Sequence, residues 1–399
     1  MSKSGTNIPK RRFPEFRGEP EWKEKPLSKL LTIGSGRDYK HLSNGDIPVY
    51  GTGGYMLAVN DYLYDGESVC IGRKGTIDKP MFLTGKFWTV DTLFYTHSFK
   101  DCIPKYIYYY FGTINWYNYN EAGGVPSLSK TTLNKINIPI PPNPNNDLAE
   151  QQKIADSLTS IDNLILSSSK KVEALKEHKK GLMQQLFPKE GENVPNLRFP
   201  EFMGEWKEKT IDDISNVTGG GTPSTNNKNF WNGNINWFTP TEIGKTKYVF
   251  ESKRKITEKG LSSSSAKLLP KGTVLLTSRA GIGDCAILQS ESATNQGFQS
   301  LIPLSNIDSE FLYYLTLTLK DKFLRKASGS TFLEISPNNV RNTEVLIPID
   351  KDKKEQEKIA NFLSSIDNLI DKQTQKVEAL KEYKKGLMQQ LFPNNEVNK

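Results

Sequence analysis

The sequence predicts a mixed α/β fold: two β-rich variable domains joined by two long antiparallel helices, a coiled-coil-like spacer, in a pseudo-two-fold internal duplication. Three observations lead there. The segment EQQKIADSLTSIDNLILSSSKKVEALKEHKKGLMQQLFP at 150–188 returns at 355–393 with 29 of 39 positions identical. A shorter pair precedes each copy: RFPEF at 12–16 with EWKEK at 21–25, and RFPEF at 198–202 with EWKEK at 205–209. The stretches between share little, and their apolar runs broken by Gly and Asp-Gly turns read as short strands. Near-identical frames around divergent inserts point to one scaffold carrying two different contents.

In chain order, residues 1–25 hold a basic tail and the first short element. Residues 26–149 are the first variable domain, with strands in IPVYGTGGYM, SVCIG and FWTVDTLFYTH and a helix over YIYYYFGTINWYNYN. Its landmark Gly66–Gly75 aligns with Gly272–Gly281 of the second variable domain. Residues 150–188 are the central spacer helix. Ile154, Leu158, Ile161, Ile165, Val172, Leu175, Leu182 and Leu186 follow a 4-3 spacing, interrupted by Ser168 and Lys179. Residues 189–209 are the linker and second short element, and 210–354 the second variable domain, with strands in GTVLLTSR, CAILQ and FQSLIPL and a helix over SEFLYYLTLTLKDKFL. Residues 355–393 repeat the helix, with Ile366, Ile370, Val377, Leu380 and Leu387 on its seam and polar interruptions at Gln373 and Lys384; 394–399 are a tail. Asp147 and Asp352, three residues before Glu150 and Glu355, read as an Asp version of the capping box, and Pro188 and Pro393 as the stops. A helix of about 37 residues runs roughly 55 Å, more than a small domain buries. The two seams are therefore expected to pack on each other, with Ile161, Ile165, Val172, Leu175 and Leu182 facing the second set, and Leu164, Leu369, Met183 and Met388 widening the stripe.

Composition narrows the function. Lys and Arg outnumber Asp and Glu 53 to 45, a net charge of +8 that favours a polyanionic partner. No apolar run reaches the roughly 18 residues of a membrane span, and the opening residues lack the apolar stretch of a signal peptide, so a cytoplasmic protein is expected. Three scattered cysteines without a CxxC exclude a disulfide framework, and three histidines exclude a histidine-rich metal site. Gly244-Lys245-Thr246 lacks the upstream glycine of a phosphate loop, Gly219-Gly220-Gly221 runs into Thr-Pro-Ser instead of completing a dinucleotide fingerprint, and the adenine-methyltransferase tetrapeptide is missing. Covalent chemistry is not expected of this chain, nor a cofactor of its own.

What remains is a surface for reading something. Polar loops beside the strands carry Thr52, Gly53 and Tyr55; Arg73 and Lys74; Ser129 and Lys130; Thr222, Ser224, Thr225, Asn227 and Lys228; Arg279; Asn295 and Gln296; and Ser330 and Thr331. Arg suits guanine O6 and N7, Asn and Gln suit adenine, and Ser, Thr, Lys and backbone N–H groups hold phosphates. These are the candidate DNA-binding residues.

The layout of variable domain, EQxKIA-initiated helix ending GLMQQLFP, and the same two again resembles the specificity subunit of type I restriction–modification systems. The RFPEF and EWKEK openings, TNQGF at 294–298 and SGST at 328–331 strengthen the likeness, which covers essentially the whole chain. The resemblance implies two target-recognition domains, each reading half of an interrupted, asymmetric double-stranded DNA site. It implies helices that act as a spacer and dock two methyltransferase subunits, which use S-adenosylmethionine, while restriction/translocase subunits use ATP and Mg. The basic stretch Lys3 to Arg12 departs from that picture, as a disordered tail or a phosphate contact. A structural coiled-coil DNA-binding or assembly protein without sequence specificity is the alternative.

Overall fold

The computed structural model describes residues 7–143, 147–329, 333–349 and 353–393. The chain forms two compact units, Met1–Lys170 with Thr374–Lys399, and Lys171–Gln373. The long helices, Ala149–Leu186 and Lys354–Leu391, have 38 residues each and contribute to both units. No described helix is long and apolar enough to cross a membrane.

In the first unit the repeated EWKEK opening is a strand. Lys23–Pro26 pairs antiparallel with Asn137–Ile140, Lys23 opposite Ile140. Both ends of the insert therefore meet in a two-stranded ribbon just before the central helix. Between them lie two four-stranded sheets. One runs in the order Thr32–Ser35, Leu93–His97, Ser68–Gly72, Met81–Leu83, all antiparallel. The other runs Gly54–Val59, Asn44–Gly51, Lys86–Thr89, Tyr64–Asp65, with Asn44–Gly51 and Lys86–Thr89 parallel. The helix expected over 106–120 is shorter, Pro104–Phe111. Gly112 N–H turns back to Tyr108 and Tyr109 carbonyls, and Asn115 then caps a separate 3-10 turn at Trp116–Tyr119. The main core packs Trp22, Tyr106 and Tyr110 against Ile154, Leu158 and Ile161 from the start of one helix and Leu387, Leu391 and Phe392 from the end of the other. Start against end means antiparallel.

The second unit repeats this plan. Lys207–Thr210 pairs with Glu344–Ile347. Its larger sheet runs Ser215–Gly219, Gln299–Pro303, Val274–Leu276, Cys285–Leu288, then Tyr248–Val249 added in parallel; the smaller runs Arg254–Ile256, Trp231–Phe238, Ser292–Thr294. The stretch 309–324 forms two helices, Ser309–Thr318 and Lys320–Lys326, interrupted at Leu319. Leu186 and Phe187 enter this core beside Trp206, Phe311, Ile359 and Leu363. Inserts with little common sequence thus share a core topology, differing in the edge strands Tyr64–Asp65 and Tyr248–Val249. Their alignment differs by one residue from the glycine-to-glycine match: Lys74 bridges Ser127 as Arg279 bridges Glu334, so Lys74, not Arg73, is the counterpart of Arg279. Backbone bonds agree, since Leu128 N–H reaches Arg73 O and Ile335 N–H reaches Ser278 O.

All ten seam residues are buried or half-buried, namely Ile161, Ile165, Val172, Leu175, Leu182, Ile366, Ile370, Val377, Leu380 and Leu387. Leu164 and Leu369 instead stand exposed. The lysine interruptions have a cause: Lys384 Nζ meets Asp162 Oδ1 at 2.6 Å in the first unit, and Lys179 Nζ meets Asp367 Oδ1 at 2.6 Å in the second. The capping reading needs correction. Asp147 Oδ1 does accept from Ala149 N (3.1 Å), but Glu150 grips Arg12 instead of reaching back to the cap. Asp352 lies outside the described residues. Nor are residues 7–12 a loose tail. Trp22 N–H bonds Asn7 O and Arg11 N–H bonds Gln390 O, as Trp206 N–H bonds Asn193 O and Leu197 N–H bonds Gln185 O, so this stretch repeats the linker before the second RFPEF.

Candidate nucleic-acid interface

In the first unit the fully buried strand Ser68–Gly72 emerges into the loop carrying Arg73 and Lys74. Their backbone N–H groups both point to Thr92 O, at 2.8 and 3.3 Å, while Gly75, at φ +93°, donates to Pro126 O at 2.8 Å. The backbone is pinned and both side chains are left exposed. They line a cleft of about 700 Å³ together with Ser35, Phe94, Glu121, Ser129 and Lys130. The Arg73 guanidinium lies 5.9 Å from the Phe94 ring centre, an arrangement that steadies the cation without consuming its donors. Thr52 and Gly53 form the two-residue tip between strands Asn44–Gly51 and Gly54–Val59, and Thr52 Oγ1 comes within 3.7 Å of where a Gly75 Cβ would stand. Tyr55 is 64% exposed on that hairpin. Ser129 has a structural duty: its hydroxyl accepts from Thr132 N–H (3.1 Å) at the cap of helix Lys130–Lys135 and donates to Glu121 Oε1 (2.7 Å). Lys130 lies near His97, whose pKa is lowered by burial and by that positive charge.

The second unit gathers a corresponding group. Thr222 Oγ1 donates to Gln296 Oε1 at 2.5 Å, and Gly221 N–H bonds Thr294 O. Gly220 permits this approach, since a Cβ there would fall 2.1 Å from Asn295 O. Asn295 Oδ1 accepts from Gly297 N–H (2.9 Å), and Arg279 Nε lies 3.1 Å from the site of a Gly297 Cβ. Thr222, Arg279, Asn295 and Gln296 are therefore one cluster. Ser224, Thr225, Asn227 and Lys228 belong to a separate turn, where Ser224 O accepts from Trp231 Nε1 and Asn227 Oδ1 caps residues 228–230. That turn packs on helix Glu258–Ser262 through Thr257 N–H to Phe230 O. Ser330 and Thr331 lie outside the described residues; Ser328, just before them, pairs with Glu334 in a short ladder.

Sequence reasoning passed over three features. Exposed Arg254 lies 3.6 Å from the Trp231 ring centre and 5.5 Å from that of Trp237, a contact that only the pairing of their strands creates. Glu121 stands among the cations of the first cleft. A tyrosine from each insert also locks onto the helices: Tyr109 OH donates to Asp162 Oδ2 (2.9 Å) and Tyr314 OH to Asp367 Oδ2 (2.5 Å), the same aspartates that hold the seam lysines. Burial, reinforced by the neighbouring carboxylate, raises both phenols' pKa values well out of reach of ionisation. The second unit adds Lys247, which binds Glu310, Tyr314 OH (3.1 Å) and Ser364 Oγ (2.7 Å). Burial works to raise the pKa of Glu310, but hydrogen bonds from Lys247 and Tyr248 outweigh it and hold the carboxyl below its usual range. Among the described residues, no three His, Cys, Asp or Glu are grouped to hold a metal ion.

Two pinned, polar loop clusters thus stand on a duplicated frame. The family model described as type I restriction modification DNA specificity domain matches residues 19–177 and again 203–382. This chain belongs to that family. It is a specificity subunit of the type I restriction–modification class. A specificity subunit from Methanocaldococcus jannaschii, of the type I restriction enzyme MjaIX, is 40% identical over 192 residues, 47% of this chain and 44% of the relative. An Escherichia coli type I restriction enzyme specificity subunit is 29% identical over 278 residues, covering 68% of this chain and 65% of the relative. The chain thus spans about half to two thirds of these relatives' length. The crystal structure of a type I system S subunit from M. genitalium has the same fold, with a TM-score of 0.63 at 15% identity over 97% of this chain and 99% of that one.

Proposed function

We propose that residues 26–149 and 210–354 are target-recognition domains, each reading one half of an asymmetric bipartite DNA site. The paired helices hold the two readers at a set spacing and dock methyltransferase subunits, which bring S-adenosylmethionine; restriction subunits bring ATP and Mg. The chain itself performs neither methylation nor cleavage. The observation that carries this reading is one scaffold with different chemistry at equivalent loop positions. Lys74 stands where the second unit has Arg279, and Arg73 where it has Ser278. Ordinary duplicates of a phosphate-binding module would keep one basic set in both. Different donors at equivalent places discriminate different bases, and two weak readers on one frame gain affinity together. Exchanging residues 210–354 for the corresponding region of a relative tests the reading, with methylated adenines mapped genome-wide. One half of the methylated site is expected to change while the other stays. If both halves change together, or binding proves indifferent to sequence, the coiled-coil assembly alternative stands instead.

A further inference from the structure

The cleft of the first unit contains a group that does not belong in a phosphate-binding surface. Glu121 stands among Arg73, Lys74 and Lys130, yet it is ion-paired with none of them. Its Oε1 accepts from Ser129 Oγ at 2.7 Å and from Thr132 Oγ1, so two hydroxyls from the start of helix Lys130–Lys135 fix the carboxylate. Those bonds hold its pKa below the usual carboxylate range, and at neutral pH it is an acceptor only. The Ser129 backbone adds to that hold, and Glu121 is exposed at the cleft, its carboxylate keeping acceptor capacity beyond these bonds. A fixed, ionised carboxylate in a basic cleft repels the DNA backbone, a cost that a donor on DNA would offset.

The duplication says where this residue stands. Glu121 N–H bonds Ser127 O, and Ser328 N–H bonds Glu334 O. Ser127 and Glu334 are counterparts through their bridges to Lys74 and Arg279. Glu121 is therefore the first unit's version of Ser328, the first residue of the SGST element. One unit has a hydroxyl there, able to donate or accept; the other has a carboxylate, able only to accept. In the major groove the available base donors are the exocyclic amino groups, N4 of cytosine and N6 of adenine.

We propose that Glu121 is a specificity-determining residue of the first recognition domain, its carboxylate taking a hydrogen bond from the exocyclic amino group of a cytosine or adenine in its half-site. The proposal rests on the recognition function above and deepens it.

The test uses the full chain in complex with its modification subunits, as wild type, Glu121→Gln and Glu121→Ala, bound to randomised duplexes. Wild type is expected to select a bipartite site. Glu121→Ala is expected to lose discrimination at one base pair of one half-site, roughly five- to a hundredfold, while binding other duplexes no less tightly, since a negative charge has gone. A second arm removes the amino group at that base pair, with purine in place of adenine or pyrimidin-2-one in place of cytosine. The substitution that weakens wild type by a similar factor, and leaves Glu121→Ala unmoved, identifies which base is read. A selection profile for Glu121→Ala and for the isosteric Glu121→Gln that matches wild type at every position overturns the proposal. So does a uniform loss across all sequences in both variants, which is what a loop brace alone would give. If wild type itself selects no bipartite site, the recognition reading fails, a result distinct from either.

Discussion

Arg12 offers a quantitative check on how the repeated frame is held. Its Nε and Nη2 grip both oxygens of Glu150 at 2.7 Å, with side chains only 6% and 3% exposed, and Nη1 donates to Glu19 O. Arg12→Met leaves a buried carboxylate without its cation, a loss of about 3–5 kcal/mol. The second unit carries the same pair, Arg198 with Glu355 at 2.8 and 2.9 Å, and adds Trp206 Nε1 donating to Glu355 at 3.2 Å. Trp22, its counterpart, makes no such bond. Arg198→Met therefore keeps one donor on the carboxylate and is expected to cost about 1–2 kcal/mol less. Adding Glu150→Leu to Arg12→Met removes the stranded charge and is expected to recover most of the loss. Hydrogen exchange under increasing urea, read on peptides from each unit, measures the two units separately. A loss below about 1 kcal/mol for Arg12→Met, or no recovery in the double variant, would refute the claim that this pair clamps the RFPEF element to the helix.

Three further outcomes are expected. Lys384→Asp sets like charges against Asp162 across the seam and lowers stability by about 1 kcal/mol, and Asp162→Lys in the same chain recovers only part of it, because the bond from Tyr109 OH to Asp162 is lost, as thermal denaturation will register. Inserting four residues after both Ser168 and Gln373 adds about 6 Å of helix and turns its face by only about 40°; methylome mapping is expected to show half-sites with unchanged bases and a gap longer by one or two base pairs, and an unchanged gap would mean that partner subunits set the distance. Cys70, Cys102 and Cys285 are all buried, with burial pushing the first two thiols up to about 12 and the third higher still, so none should react with an exposed-thiol reagent until the chain is unfolded.

The helices were legible because their signal is local: a 4-3 apolar period read within one segment needs no partner. The equivalence of the inserts was not. Matching Lys74 to Arg279 requires knowing that each bridges a residue more than 50 positions away, Ser127 and Glu334, and sheet pairing of that range leaves no local mark. Lys179 and Lys384 looked like blemishes on an apolar seam because their aspartates lie on the other helix. Arg12 reads as part of a basic tail for the same reason, its carboxylate standing 138 residues on. Of the proposed DNA contacts, Arg73, Lys74, Ser129 and Lys130 fall in the first pinned cluster and Thr222, Arg279, Asn295 and Gln296 in the second. Asn227 reads identically as a polar loop residue yet caps a turn packed on another helix.

The ribbon that closes each insert leaves its length almost free. Residues 27–136 lie between the two paired strands in the first unit and 211–343 in the second, 110 and 133 positions. For a flexible chain, the entropy of bringing two ends together grows only with the logarithm of the length between them, so this difference is worth about 0.2 kcal/mol. The antiparallel pairing of Lys23–Pro26 with Asn137–Ile140 is nearly blind to how much polymer it encloses. Additions such as the Tyr248–Val249 strand, which has no counterpart among the described residues of the first unit, enter at almost no closure cost. What an insert must supply is its own core and two ends that arrive side by side.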